Sequence, residues 1–118
     1  MTFTTKLLED HKGFTGPKAV GDEYCVDAAI QFTVYHRADR VTAEALGLST
    51  ISAVMITGLS AGLDPIIVVD VSDDADGSYD GQSFKVMMYD GSVADEVEIS
   101  NAANINDTTV RVRVWGQI

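Results

Sequence analysis

Between Tyr24 and Val34 every even position is apolar: Tyr24, Val26, Ala28, Ile30, Phe32 and Val34. The intervening Cys25, Asp27, Ala29, Gln31 and Thr33 are small or polar. A period of two sends successive side chains to opposite faces, so this stretch buries one face only if it is a β-strand. The end of the chain repeats the pattern, with Thr108, Val110, Val112 and Val114 alternating against Thr109, Arg111, Arg113 and Trp115. One-sided alternation belongs to antiparallel sheets, because parallel sheets are covered on both faces.

Further strands are expected between these two. Residues 50–57 and 66–72 are nearly continuous apolar runs rich in Ile and Val and read as buried on both faces. Residues 83–90 set Phe84, Val86 and Met88 against Lys85, Met87 and Tyr89. Residues 93–100 read as a charge-guarded edge strand, joined to the preceding one by an Asp90-Gly91 hairpin. The connections 58–65, 73–81 and 101–107 are rich in Gly, Asn, Asp and Ser, the residues turns require. One helical turn is expected over 42–48, with Thr42 as N-cap and Gly47 in the left-handed position after it. The expected fold is all-β: an antiparallel β-sandwich, jelly-roll or β-tulip-like, with one short helical turn.

A length of 118 residues fits a single core. Residues 17–118 read as the sandwich domain and residues 1–16 as an N-terminal arm. The arm shows no alternation, yet Phe3, Leu7, Leu8 and Phe14 are too apolar for an ordinary disordered tail. Such a segment either orders against a neighbouring subunit or adds a strand or helical turn to its own core. Charges sit at the start of the chain where a signal peptide needs its apolar run.

Charge narrows the partners. Eight Lys and Arg against eighteen Asp and Glu give −10. Residues 1–20 sum to +1, so the rest carries −11, most of it between Asp64 and Glu98. Nucleic acid and anionic membranes both need a positive footprint, and neither is expected as a partner.

Catalysis has little to work with. The two histidines, His11 and His36, fall in the arm and in a polar turn. Cys25, the single cysteine, excludes an internal disulfide, and no neighbouring cation or helix N-terminus is expected to activate it. No enzyme, catalytic residue, metal or cofactor is therefore expected. The loop 72–81 places Asp74, Asp76 and Gly77 at EF-hand-like spacing, but Ser72 and Ser83 stand where the first and last ligands belong. A solvated acidic hairpin loop is the simpler reading. A calcium- or sugar-binding module using Asp74, Asp76, Asp80 and Tyr79 is the alternative. Arg111, Arg113 and Trp115 share one face of the last strand. They are either cross-strand partners of Glu96 or Glu98, or anchors of an oligomer contact.

The stretch Lys6-Leu7-Leu8-Glu9-Asp10-His11-Lys12-Gly13-Phe14-Thr15-Gly16, the later Leu46-Gly47-Leu48-Ser49-Thr50-Ile51, and Asn101-Ala102-Ala103-Asn104 before Thr109-Val110-Arg111-Val112 resemble a group of small tailed-phage virion proteins. The resemblance implies a capsid decoration (cement) protein on the outer face of the major capsid protein lattice. Such a protein is assembled in the host bacterial cytoplasm and acts as a homodimer or homotrimer clamping capsomer junctions. A tail or head-fibre component shares the same resemblance. On this reading Phe3, Leu7, Leu8 and Phe14 are capsid contacts, and Arg111, Arg113 and Trp115 are oligomer contacts. The acidic loop 73–81 and the strand 66–72 depart from the group's pattern.

Overall fold

The computed structural model describes residues 3–10, 12–60, 65–73, 75–90, 98–99 and 103–118, with the backbone alone at 103, 104, 106 and 107. Among them the order is β1 (Phe3–Leu7), β2 (Lys18–Val20), β3 (Glu23–Tyr35), β4 (Val41–Thr42), a 3-10 turn (Glu44–Leu46), β5 (Thr50–Ser60), β6 (Pro65–Asp70), β7 (Ser83–Asp90) and β8 (Ala103–Gln117). A five-stranded sheet runs β1-β3-β8-β5, with β2 also on β3, and a three-stranded sheet runs β4-β7-β6. Every pairing is antiparallel. The two sheets pack as a sandwich, the class the alternation predicts.

The register explains the core. Val26, Ala28 and Ile30 of β3 lie opposite Val114, Val112 and Val110 of β8, so the two apolar stripes form one continuous inner face. Phe84, Val86 and Met88 of β7 cover it from the smaller sheet, and Leu46 and Leu48 are buried with them. Fully burying each such side chain stabilises the fold by about 1.5–3 kcal/mol. Gly47 follows the 3-10 turn at φ 79°, the left-handed conformation expected there. The turn begins one residue later than the sequence implies. Ala43 occupies the cap position, while the Thr42 hydroxyl accepts from the Ala45 N–H at 3.3 Å.

Several expectations are corrected. The runs 50–57 and 66–72 are not buried on both faces: in a two-layer sandwich each strand turns one face to the opposite sheet, so β5 and β6 each leave the other face exposed. Val34 was expected inside, but Tyr35 is the fully buried residue, because the β3–β8 register shifts between Phe32 and Val34. The N-terminal segment does alternate: Phe3 and Leu7 face the core, and β1 pairs along β3 from Phe3↔Phe32 to Leu7↔Ala28. It is thus a strand of its own sheet at 3–7. The hairpin at Asp90-Gly91 and most of the strand 93–100 lie outside the described residues. Of that strand, Glu98 bridges Tyr89, and the Ile99 N–H donates to the Met88 carbonyl at 3.0 Å.

Candidate interaction surfaces

The N-terminal candidates separate by environment. Phe3 packs on Phe32 with ring centroids 5.8 Å apart, and Leu7 packs against the core. Leu8 is half-buried, its N–H donating to the Asp27 carbonyl at 2.9 Å. Phe14 is 65% exposed. Its presentation is built by Asp10, whose Oδ1 accepts the Lys12 and Phe14 N–H groups at 2.8 and 3.0 Å. The same carboxylate meets Lys18 Nζ at 3.3 Å. These backbone bonds, with the lysine beside them, hold the Asp10 carboxyl below its ordinary range despite some desolvation. Sequence reasoning passed over Asp10; its signal is an Asp three residues before Gly13, an Asx-turn arrangement. His11 lies outside the described residues.

Arg111, Arg113 and Trp115 stand in one row on the outer face of the large sheet, opposite Ala29, Asp27 and Cys25 of β3. Arg113 grips Asp27 with two bonds, Nε to Oδ1 at 2.8 Å and Nη2 to Oδ2 at 3.1 Å. The guanidinium pulls the Asp27 carboxyl down and is itself raised. The cross-strand partner of Arg113 is therefore Asp27 and not Glu98. Glu98 accepts the Tyr35 hydroxyl at 2.6 Å and lies 3.8 Å from Arg37, while Glu96 is outside the described residues. Arg111 is exposed beside Gly58, which leaves room for its side chain. Cys25 has cations near it after all, Lys18 across the strand and Arg113 on β8. Burial outweighs them and raises the thiol, which opposes thiolate formation.

The acidic loop is a hairpin closed by the Ser72–Tyr79 bridge and turned at Gly77, φ 75°. Asp73 and Asp76 accept from N–H groups of their own loop, at Ala75 (2.7 Å) and Ser78 (2.9 Å). Asp80 belongs to a different network. Arg40 donates from Nε to Ser83 Oγ at 2.6 Å, and from Nη2 to the Ser72 carbonyl at 3.0 Å and Asp80 Oδ2 at 3.2 Å. Asp74 is outside the described residues, and among the described residues no three carboxylate, His or Cys groups converge on a metal position. Beside this loop an open concavity of about 470 Å³ is lined by Val68, Asp70, Tyr79, Met87 and Tyr89.

The fourth surface is one the sequence reading placed inside the core. Met55 (48% exposed) and Leu59 (45%) of β5, with Ile66 (40%) and Val68 (47%) of β6, put large apolar side chains in solvent along the two edge strands. Residues 50–69 carry a single charged group, Asp64, in a chain of net charge −10. Monomeric proteins normally guard such edges with charge or proline. No protein-family model matches the chain, and no curated protein or solved structure matches it either.

Proposed function

We propose that this chain is a non-enzymatic capsid decoration protein of a tailed phage, bound to the outer face of the major capsid protein lattice across capsomer junctions. The observation that supports the reading is where the resembling stretch 6–16 lies. It runs from the end of an outermost strand into a turn that holds Phe14 out in solvent, pinned by Asp10 and Lys18. An exposed aromatic on a hydrogen-bonded turn is suited to docking, since its geometry is set before contact and little ordering entropy remains to be lost. Phe3 and Leu7 act behind it by fixing β1 to the sheet.

The mechanism is mechanical. A ligand that binds the intact lattice better than separated capsomers stabilises the lattice by mass action. Linking copies into a homodimer or homotrimer raises the effective concentration of each further attachment. Arg111, Arg113 and Trp115 are assigned to the contact between copies. The remaining acidity keeps the outer surface soluble and repels nucleic acid.

The test is to mix the purified protein with undecorated phage capsids and image the particles. Density repeated over the whole icosahedral surface is the expected result. Density at one vertex only assigns the chain to the tail or a head fibre, and absence from particles overturns both. A melting curve with and without calcium tests the loop: a calcium-dependent rise in Tm favours the calcium- or sugar-binding alternative.

A further inference from the structure

We infer that the concavity on the outer face of the small sheet, walled by Val68, Asp70, Tyr79, Met87 and Tyr89, takes an arginine side chain from an apolar stretch of a partner protein. The inference is independent of the capsid reading, because neither the Phe14 turn nor the outer face of the large sheet contributes to this wall.

The pleat builds the site. In the β6–β7 pair, Ile67 and Val69 lie opposite the buried Met88 and Val86 and turn to the core. Ile66, Val68 and Asp70 therefore turn outward, opposite Tyr89, Met87 and Lys85. The acidic loop follows at the Asp70 end of this row, where Gly77 and Tyr79 complete the wall. Tyr79 is fixed there by donating its hydroxyl to the Ile51 carbonyl. The volume of about 470 Å³ falls within the range of ligand-binding clefts, roughly 300–1,000 Å³.

The polar groups of the wall select the occupant. Ser72 donates its N–H, at 2.9 Å, and its hydroxyl to Asp70 Oδ1, and the Tyr79 hydroxyl is already engaged by Ile51. Among the described residues this leaves the second Asp70 oxygen and the Tyr89 hydroxyl as the side-chain groups to satisfy. The Ser72 bonds, with Lys85 and Arg40 nearby, hold the Asp70 carboxyl below its ordinary range, so it is an anion at neutral pH. Lys85 is one cation against Asp70, Asp73 and Asp76, and the neighbourhood stays anionic. An anionic ligand is repelled here. A neutral apolar one buries the Asp70 charge unpaired, a large penalty. A sugar ring brings more hydroxyls than this wall has partners for, and each unpaired one weakens binding. A cation on an aliphatic stem meets every requirement: its stem covers Val68 and Met87 while its head reaches Asp70.

Two further observations fix the source and the head group. Ile66 continues the outward row past Val68, and both are exposed. That is more apolar surface than a free amine covers, so the fitting occupant is a protein segment with apolar residues flanking its cation. Tyr79 and Tyr89 supply two aromatic rings to the same wall. A planar guanidinium stacks on such rings more readily than a compact, strongly hydrated ammonium, which favours arginine over lysine.

The probe is a capped pentapeptide, Ala-Val-Arg-Val-Ala, titrated into the full chain and followed by NMR. It should shift the signals of Tyr79, Met87 and Tyr89 saturably, with a Kd on the order of 1 mM. Peptides with Gln or Glu in place of the arginine should bind about tenfold more weakly, the range for losing a hydrogen bond to a charged group. Asp70→Asn keeps an acceptor for Ser72 and should weaken the arginine peptide about tenfold while leaving the Gln peptide unchanged. Val68→Lys, at an exposed position, should abolish binding and leave the melting transition cooperative. No saturable shift, equal binding of the Arg, Gln and Glu peptides, shifts confined to residues 73–77, or an Asp70→Asn protein of unchanged affinity overturns the proposal. A lysine peptide that binds as tightly overturns the choice of arginine, and free arginine amide that does so overturns the protein source. None of these outcomes alters whether the chain decorates a shell.

Discussion

Arg40 and Asp80 meet at 3.2 Å and tie the acidic loop to the start of β7 at Ser83, although 40 residues separate them in the chain. Nε and Nη2 of the guanidinium reach four acceptors, Ser83 Oγ, the Ser72 and Ser83 carbonyls and the Asp80 carboxylate. A planar fork does this and a single ammonium does not. Arg40→Ala should therefore cost about 1.5–3 kcal/mol in a urea titration, the range for hydrogen bonds involving charged groups. Arg40→Lys should recover less than half of that loss.

Of the glycines Gly58 and Gly116 in the large sheet, Gly116 is the tightly enclosed one. A Cβ there would land on the Thr50 carbonyl, beside the register shift between Ile51 and Ala53. Gly116→Ala should lower stability by about 3 kcal/mol or more, the upper range for overpacking a closed site. Hydrogen exchange should show the loss first at the β5–β8 ladder.

Phe14 and Asp10 should be separable from folding. Phe14→Ser removes an exposed side chain, so its melting temperature should stay within about 2 °C of wild type, as surface substitutions usually do. Capsid occupancy should fall at least tenfold. Asp10→Ala should also reduce occupancy, by loosening the turn, whereas unchanged occupancy in both variants removes the docking assignment. Deleting residues 1–16 is a poorer experiment, since it strips β1 from the sheet.

Stability should fall at both ends of the pH scale. The carboxyls of Asp27, Asp70, Asp76 and Asp80 are all held below their ordinary range, each by hydrogen bonds from neighbouring side chains or backbone. Below about pH 5 the unfolded chain binds more protons than the folded one, so the stabilisation present at neutral pH is lost as pH falls through the folded pKa values. At the alkaline end Tyr35 is pushed up to about 12 by burial and by its bond to Glu98. Between pH 10 and 12 the unfolded chain ionises first, and stability declines as pH rises. Tyr35→Phe should flatten that alkaline limb in pH-dependent melting curves, and an unchanged limb removes the Tyr35 assignment.

Strand existence and inward faces were legible locally. The even positions of 24–32 and 108–114 announce their burial because period two is a property of neighbouring residues, and Gly47 marks the end of its turn by the conformation only glycine adopts freely. Strand neighbours were not legible. Whether an apolar run such as 50–57 lies in the middle of a sheet or on its rim depends on which distant strand pairs with it, and composition is the same in both cases. For the same reason Arg113 finds Asp27 across the β3–β8 register, and β1 takes its place on β3. The sequence by itself determined that this protein is an acidic β-sandwich with two strongly alternating strands. Tertiary structure alone decided that β5 and β6 are edges among the described residues, because an edge is defined by which strands pair with it and which do not.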